Sequence, residues 1–274
     1  MISLLNNAVQ RYRSDGLFAL LRAGIRHTAG EAMSHVRGYR KLSADGTFAK
    51  FVFNDAPQGP STLSRYEAEV SEIKDILAEL RETDVVYDIG ANTGLYTCFI
   101  GKRMFSGKVV AFEPYPPNIE QLETNADLND LDIDIWPVAV SDADGSINFE
   151  WPDMDAPGYG EASITDGDTG HEVQTVSLDK RVADGELPMP NVVKIDVEGS
   201  EPLVINGMWS CLRHDDCRLV YCEVHLPTDG NRASICDFGV TQKELIESVC
   251  SAGFKVEFKE ESGNRVFYKF RKSD

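Results

Sequence analysis

The sequence predicts an α/β fold, a doubly wound and mostly parallel sheet that closes with an antiparallel hairpin at one edge. Two observations carry this. From residue 84 onward, short β-rich runs alternate with runs of helical periodicity, and such repeats make a parallel sheet with helices on both faces, joined by right-handed crossovers. The last two β-rich runs are separated only by Ser262-Gly263-Asn264. That gap is too short for a helix, so the two runs must form a hairpin.

Seven strands are expected, at 85–89, 108–113, 133–140, 192–197, 219–224, 255–260 and 265–270. Helices are expected between them at 95–105, 118–129, 202–213 and 242–252, the last opened by a Thr241/Glu244 capping box. Residues 141–180 interrupt the alternation with Gly, Asp and Ser, and read as an irregular insert with short strands near the site mouth. Ahead of the first strand, Ser64 and Glu67 have capping-box spacing. Tyr66, Val70, Ile73, Leu77 and Leu80 then repeat on one helical face, with Glu67, Glu69, Glu72, Asp75 and Glu79 off it. Gly46, Pro57, Gly59 and Pro60 make 43–63 read as an extended connector. Within the first forty residues, Leu17, Phe18, Leu20, Leu21 and Ile25 share an arc that leaves Arg22 and Arg26 outside. Two readings stay open for this short basic helix: lying on an anionic membrane surface, or docked on the body of the protein. The chain thus divides into an extension and connector over 1–63 and a main domain over 64–274.

At 274 residues the chain is long enough for one or two domains, and 42% hydrophobic with 26% charged residues is ordinary globular composition. The net charge of −18 is not ordinary. Nucleic-acid binding needs a cationic footprint, so this balance argues against it. The charge is also uneven: residues 1–50 carry +5, which leaves −23 for the rest. An acidic surface keeps a protein soluble where salt screens repulsion, so a salt-rich host is expected. Six cysteines without a CxxC pair, three of them (Cys98, Cys222, Cys250) inside apolar stretches, suit a reducing compartment. With no signal peptide and no apolar run of 18 residues, the expected location is the cytoplasm, with the inner membrane surface as an option if residues 1–41 bind lipid.

Ligands of such sheets bind where the strands end and the strand order reverses. The first strand runs into Asp88-Ile89-Gly90-Ala91-Asn92-Thr93-Gly94. Its glycines allow a tight turn and close backbone approach to a ligand. This is D-x-G-x-N-x-G, without the spacing that cradles a pyrophosphate. The second strand ends in Glu113, 19 residues after Gly94. An acid about 20 positions on, at the neighbouring strand tip, suits a bidentate grip on ribose hydroxyls. An adenosine-containing ligand follows. Farther on, Lys194-Ile195-Asp196-Val197-Glu198-Gly199-Ser200-Glu201 and Glu223-Val224-His225 end two more strands. Period-two alternation puts Glu223 and His225 on one face, and adjacent tips bring Asp196, Glu198, Glu223 and His225 to one rim.

Four segments, VVYDIGANTGLYTCFIGK, VVAFEPYPPNIEQLETN, VAVSDADG and VVKIDVEGSEPLVINGM, resemble in order the motifs of the FkbM family of S-adenosylmethionine-dependent methyltransferases. The likeness covers about residues 66–270. It implies a Rossmann-like class I methyltransferase fold with seven strands, the last antiparallel. It further implies that Asp88, Gly90, Ala91, Asn92 and Gly94 line the methionine and ribose of S-adenosylmethionine, and that Glu113 holds the ribose. Ala139, Val140, Ser141 and Asp142 would border the adenine, and Asp196 would orient the substrate or the cofactor's ammonium.

A sulfonium methyl is already activated, so the protein has to align the acceptor, exclude water and take a proton from a hydroxyl. His225 and Asp196, with Glu223 beside them, are the catalytic candidates. His225 has the ordinary pKa best suited to a base near neutrality. A secondary reading has Asp196, Glu198 and Glu223 holding Mg²⁺ through oxygens. The resulting expectation is an O-methyltransferase acting on a hydroxyl or carboxyl of a sugar, glycolipid or secondary metabolite; a membrane-bound extension would favour a lipid-linked glycan. Competing readings are a non-catalytic interaction module on the same fold, which the intact glycine loop argues against, and a nicotinamide-dependent oxidoreductase, which lacks its phosphate loop.

Overall fold

The computed structural model describes residues 38–52, 62–150, 157–158, 163–165, 170–228 and 232–273. The basic helix expected around Leu17–Ile25 lies outside them, as do His27, His35 and Trp151. The described chain opens with a hairpin of β1 (Tyr39–Ala44) and β2 (Thr47–Val52), where the sequence reading placed the start of a connector. Asp45 and Gly46 form its two-residue turn, with φ of 44° and 74°. Both central residues at positive φ match the twist of the flanking strands. Leu42, Ala44, Ala49 and Phe51 alternate inward and are buried. The hairpin is fastened by side-chain amides: the N–H of Lys50 donates to Asn129 Oδ1 and that of Val52 to Asn125 Oδ1, each at 2.8 Å.

Helix α1 (Thr62–Glu79) starts two residues before Ser64, so the expected Ser64/Glu67 box lies inside the helix and does not cap it. Ile73, Ile76 and Leu77 are buried as the periodicity requires, but so are Glu69 and Glu72. Those two acids were expected in water. They turn inward because the site behind them holds partners, described below.

The main sheet has the order β12-β13-β11-β10-β3-β4-β5. Its strands are β3 (Val85–Ile89), β4 (Lys108–Phe112), β5 (Asp134–Trp136), β10 (Val192–Ile195), β11 (Leu219–His225), β12 (Phe254–Ser262) and β13 (Arg265–Lys272). The pairs among β5, β4, β3, β10 and β11 are parallel. β13 runs antiparallel to both neighbours and sits between β11 and β12. The expected edge hairpin is present, with its second strand on the inside.

Strands buried on both faces read as continuous apolar runs, and β10 and β11 are buried along their whole length. One face packs Val86, Val192 and Tyr221 with α1 and with α2 (Leu95–Arg103). The other packs Tyr87, Ile195 and Val220 with α5 (Glu201–Gly207), α6 (Trp209–Arg213) and α7 (Gln242–Ser251). Each fully buried Val, Leu or Ile contributes roughly 1.5–3 kcal/mol. The Thr241/Glu244 capping box forms, with Thr241 N–H donating to Glu244 Oε2 at 2.9 Å. Lys269 on β13 reaches back to α1, its Nζ 3.0 Å from Asp75 and 2.8 Å from Glu79.

Two expected elements divide. The strand predicted at 133–140 is β5 followed by β6 (Ala139–Val140), which pairs in another sheet. Pro137 supplies no N–H for a ladder, and Val138 N–H folds back to Trp136 O at 2.9 Å. The helix predicted at 202–213 breaks at Met208, φ −128°. Its last residue, Gly207, lies so close to the Ser141 carbonyl that a Cβ would sit 1.8 Å from it.

The insert forms a small sheet, β6-β9-β7-β8, with β7 (Gly145–Glu150), β8 (Ser163–Thr165) and β9 (His171–Val176). A short helix, α4 (Leu178–Ala183), leads back to β10.

Candidate functional site

The turn after β3 is shaped by backbone that side chains disfavour. Gly90 has φ 78°, and a Cβ there would meet the Asp196 carbonyl oxygen at 1.9 Å, so only glycine fits between the tips of β3 and β10. Asn92 follows in the left-handed region at φ 51° and Gly94 at φ 83° caps the start of α2. The N–H groups of Gly90 and Ala91 both donate to the Phe112 carbonyl, at 2.9 and 3.0 Å. Asp88 is fully enclosed. Its Oδ2 accepts from Thr97 Oγ1 at 2.6 Å, and its Oδ1 lies 3.4 Å from Lys194 Nζ. Asp88 therefore braces the loop from behind.

Glu113, just past β4, joins this loop to the next. It accepts from the N–H of Asn92 at 2.8 Å, the N–H of Tyr115 at 3.0 Å and Asn118 Nδ2 at 3.3 Å. Burial pushes its pKa up, and these donors oppose the rise. A carboxylate offers about four lone-pair sites, so three donors leave room for a further hydroxyl. Asn118, in α3 (Pro116–Leu128), also accepts from Gly158 N–H at 2.7 Å. The insert thereby reaches the site, as expected. Ala139 and Val140 lie on β6 beside β9, and Ser141 N–H donates to Val176 O at 2.9 Å. Asp142 is exposed, within 3.2 Å of Ser141 Oγ. Ala139 and Val140 thus belong to the insert sheet, with Ser141 and Asp142 just after it, one step beyond the strand that carried the prediction.

The second half of the site is the rim at β10 and β11. The structure brings Asp196, Glu198, Glu223 and His225 together as the alternation required. His225 Nε2 is 3.3 Å from Glu198 Oε2, 3.4 Å from Glu223 Oε1 and 4.0 Å from Asp196 Oδ1. Its Nδ1 lies 2.7 Å from Glu201 Oε1, and Glu201 is fully buried. Burial disfavours the imidazolium, but the carboxylates of Glu201, Glu223 and Glu198 reverse this and push the pKa up to about 11. A neutral base near pH 7, as His225 was expected to be, does not fit this ring of acids. Glu198 is pushed up to about 7 by burial against the pull of His225. Asp196 is held below the ordinary range: Lys194, His225 and Arg65 outweigh its burial.

The loop carrying Glu198 is tightly constrained. Glu198 itself has φ 50°, and Gly199, φ 101°, packs so closely that a Cβ would lie 2.6 Å from the Ser234 nitrogen. Non-glycine residues at positive φ cost energy and cluster at functional sites. Among the described residues, Asp196, Glu198 and His225 are the group whose ligand atoms all lie within 4.8 Å of one another. Glu223, expected in an all-oxygen set with Asp196 and Glu198, is drawn instead to Arg265 Nη1 at 2.9 Å.

Several residues of the site carried no role in the sequence reading, Glu201 and Arg265 among them. Lys194 is buried, its Nζ 3.4 Å from both Asp88 and Asp196, 3.2 Å from Gly90 O and over the Tyr96 ring at 4.8 Å. Burial opposes its charge, but Asp88 and Asp196 raise its pKa above the ordinary value. Arg65 extends from α1 to within 3.9 Å of Asp196 Oδ2, steadied by Glu69 at 3.4 Å. Glu72 accepts from Tyr96 Oη at 2.7 Å. Arg65 and Glu69 stand four apart on a helix, a spacing that equally describes a solvated ion pair; only the third dimension turns them inward. Trp136 packs against Phe112 at 6.1 Å, and His214, at the end of α6, is half-exposed beside Asp216.

Comparison with known proteins agrees with this layout. Residues 88–256 match the family described as "Methyltransferase FkbM domain". The hexuronic acid methyltransferase AglP of Haloferax volcanii is 35% identical over 161 residues, covering 59% of this chain and 64% of that protein. The 31-O-demethyl-FK506 methyltransferase FkbM of Streptomyces tacrolimicus is 31% identical over 180 residues, 54% of this chain and 67% of that one. The matched stretch thus spans somewhat under two thirds of the first relative and two thirds of the second. Among solved structures, the tRNA (uracil-54, C5)-methyltransferase of Pyrococcus abyssi with S-adenosyl-L-homocysteine aligns at 12% identity and TM-score 0.47, over 85% of this chain and 44% of that chain; so loose a likeness adds nothing to the topology above. With the family's match running from the Asp88 loop through the His225 rim to β12, the chain belongs to the FkbM methyltransferase-domain family.

Proposed function

We propose that the protein is an S-adenosylmethionine-dependent O-methyltransferase whose acceptor is a hydroxyl, or a carboxyl, of a sugar, glycolipid or related secondary metabolite. The observation that carries this is one sheet edge with two unlike halves: a glycine turn clamped to Glu113 at β3 and β4, and an acid–imidazole rim at β10 and β11. The first half suits the donor. Gly90 leaves its backbone bare, and Glu113 keeps acceptor capacity for a ribose hydroxyl. When bound, S-adenosylmethionine supplies a methyl group already activated on a sulfonium. The chain's own residues do the rest. Asp88, Lys194 and Thr97 hold the loop rigid, and the rim places carboxylates where an acceptor hydroxyl would lose its proton. The cofactor would supply the methyl group and take back the sulfur's electron pair, and the carboxylate–imidazole cluster would receive the proton that an acceptor hydroxyl gives up.

A sugar acceptor is favoured by AglP, whose name describes a hexuronic acid methyltransferase. Calorimetric titration of S-adenosylmethionine and S-adenosylhomocysteine in high salt, with Glu113→Ala as control, tests the donor. Micromolar binding lost in the variant is the expected result; no binding of either ligand defeats the reading in favour of a non-catalytic module. Uronic acids and their glycosides are the first acceptors to screen.

The charge distribution supports two further parts of this reading. An acid excess of −23 outside residues 1–50 suits a salt-rich host cytoplasm; fold and activity that peak in dilute buffer and vanish in molar salt would refute it. The basic residues 1–41 suit contact with the inner, anionic membrane surface and a lipid-linked glycan. No helix among the described residues is long and apolar enough to cross a membrane. Flotation with anionic liposomes, against a truncation lacking 1–37 that preserves β1, separates the outcomes: equal behaviour removes the membrane argument.

A further inference from the structure

The imidazole of His225 is held in an unusual way for a buried side chain. Its ring is almost wholly enclosed, 2% exposed. One nitrogen, Nδ1, is fixed by Glu201, whose Oε1 also accepts the Gly199 N–H at 3.0 Å. The other, Nε2, is buried and makes no hydrogen bond, although carboxylate oxygens of Glu198, Glu223 and Asp196 stand 3.3 to 4.0 Å away. It points into the place where, among the described residues, three ligand-type atoms converge within 4.8 Å.

A histidine that gives one N–H to a carboxylate and turns its second nitrogen toward acids has the arrangement of a metal ligand. In metal sites the carboxylate behind the ring fixes the tautomer and makes the free nitrogen more basic. Glu198 is aimed at that nitrogen from a left-handed backbone position, and its loop is pinned by Gly199 against Ser234. The surrounding cations do not fill the gap. Arg265 is committed to Glu223 at 2.9 Å, Arg65 stays 3.9 Å from Asp196, and Lys194 meets Asp196 at 3.4 Å through Oδ2, whereas Oδ1 is the oxygen toward His225.

We propose that Asp196, Glu198 and His225 bind a divalent cation, with Glu201 orienting His225 from behind. Two carboxylates and one imidazole favour a cation of intermediate hardness that also accepts oxygen ligands, such as Mn²⁺. The ion takes the place of the proton on Nε2, since a ligating imidazole must be neutral. Its open positions face the rim, so it presents itself to an acceptor that offers two neighbouring oxygens, a vicinal diol or a hydroxy-carboxylate. That last clause rests on the methyltransferase reading; the site itself does not.

The test uses the full chain stripped with chelator and titrated with Mn²⁺, free ion being counted by electron paramagnetic resonance. Expected are one Mn²⁺ per chain and an imidazole-nitrogen modulation in the spin-echo envelope that His225→Ala abolishes. Glu198→Gln should weaken binding at least about tenfold and Glu201→Gln about 10–100-fold. Glu198 lies at the partly open rim, so its variant keeps the question answerable if His225→Ala does not fold. No saturable binding, a bound ion without nitrogen modulation, or an affinity indifferent to Glu198→Gln overturns the proposal. S-adenosylhomocysteine titrated into the same sample separates the two readings: nucleoside binding without Mn²⁺ defeats the cation alone, and Mn²⁺ without nucleoside binding defeats the methyltransferase alone.

Discussion

At the tips of β3 and β4, each carboxylate meets fixed donors: Asp88 has Thr97 and Lys194, and Glu113 has two backbone N–H groups and an amide. At the tips of β10 and β11, Asp196, Glu198, Glu201 and Glu223 crowd around a single imidazole. The two halves are neighbours across β3 and β10, yet they handle negative charge differently. The first spends its acids on holding backbone in shape for a ligand whose form does not vary. The second keeps charge in reserve, to be neutralised by whatever arrives. A site that satisfies itself is rigid, and one that does not is chemically responsive.

Breaking the first half should have the largest effect. Gly90→Ala puts a Cβ into the Asp196 carbonyl at a left-handed φ. Strain alone costs about 1–3 kcal/mol, and the clash would part β3 from β10. Calorimetric unfolding should show the lost stability and titration the lost nucleoside binding. Next in size, His225→Gln should lower kcat by about a hundredfold or more while S-adenosylhomocysteine affinity stays nearly unchanged. If affinity falls with kcat, the rim belongs to the donor and the division drawn above fails. Third, Glu113→Gln keeps the shape of the clamp but loses its charge and half its acceptors. Leaving buried N–H groups poorly matched costs about 1–3 kcal/mol, to be read as weakened nucleoside binding with kcat at saturation little changed.

The smallest effect sharpens the account of the second half. Burial pushes Glu72 up to about 8. An acid whose pKa is raised by folding is neutral in both states below its unfolded value, near 4.5, and progressively destabilises the fold as pH rises from there to about 8. Glu72→Gln should therefore leave stability unchanged at pH 4 and raise it at pH 9. Denaturant melts at the two pH values check this. An equal change at both would place the effect in packing rather than charge.

The sequence made the first half legible because its signals are local. Gly90, Asn92 and Gly94 announce a backbone conformation by their own residue types, and the 19-residue step to Glu113 follows from one strand–helix–strand unit. The rim was half legible: alternation put Glu223 and His225 on one face, but the ordinary histidine pKa misled, because the three acids of 196–201 fold back onto the ring beside Glu223. Arg65, Glu69 and Glu72 were illegible for the same reason. A helical wheel assigns charged residues to water unless it knows what lies on the other side. The β1–β2 hairpin was within reach, since Asp45-Gly46 sits between alternating apolar residues, and the Pro and Gly farther along masked it. Pro137 likewise marks the break between β5 and β6, whereas the kink at Met208 depends on Gly207 meeting the Ser141 carbonyl, a contact without local trace.

The placement of β13 between β11 and β12 bears on how the molecule assembles. The chain lays down β11, passes over a strand-wide gap to set β12, then returns to fill the gap. Until it does, β12 has no neighbour, because its pairing with the sheet runs through β13. The far third of the sheet should accordingly lock in one late, non-local event. A chain halted before that event would offer the bare edge of β11, with Val220, Cys222 and Val224 along it, to any passing strand. The ties from Lys269 to Asp75 and Glu79 on α1 then act as a latch between the early and late parts of the polypeptide. They hold shut the seam most exposed to misassembly.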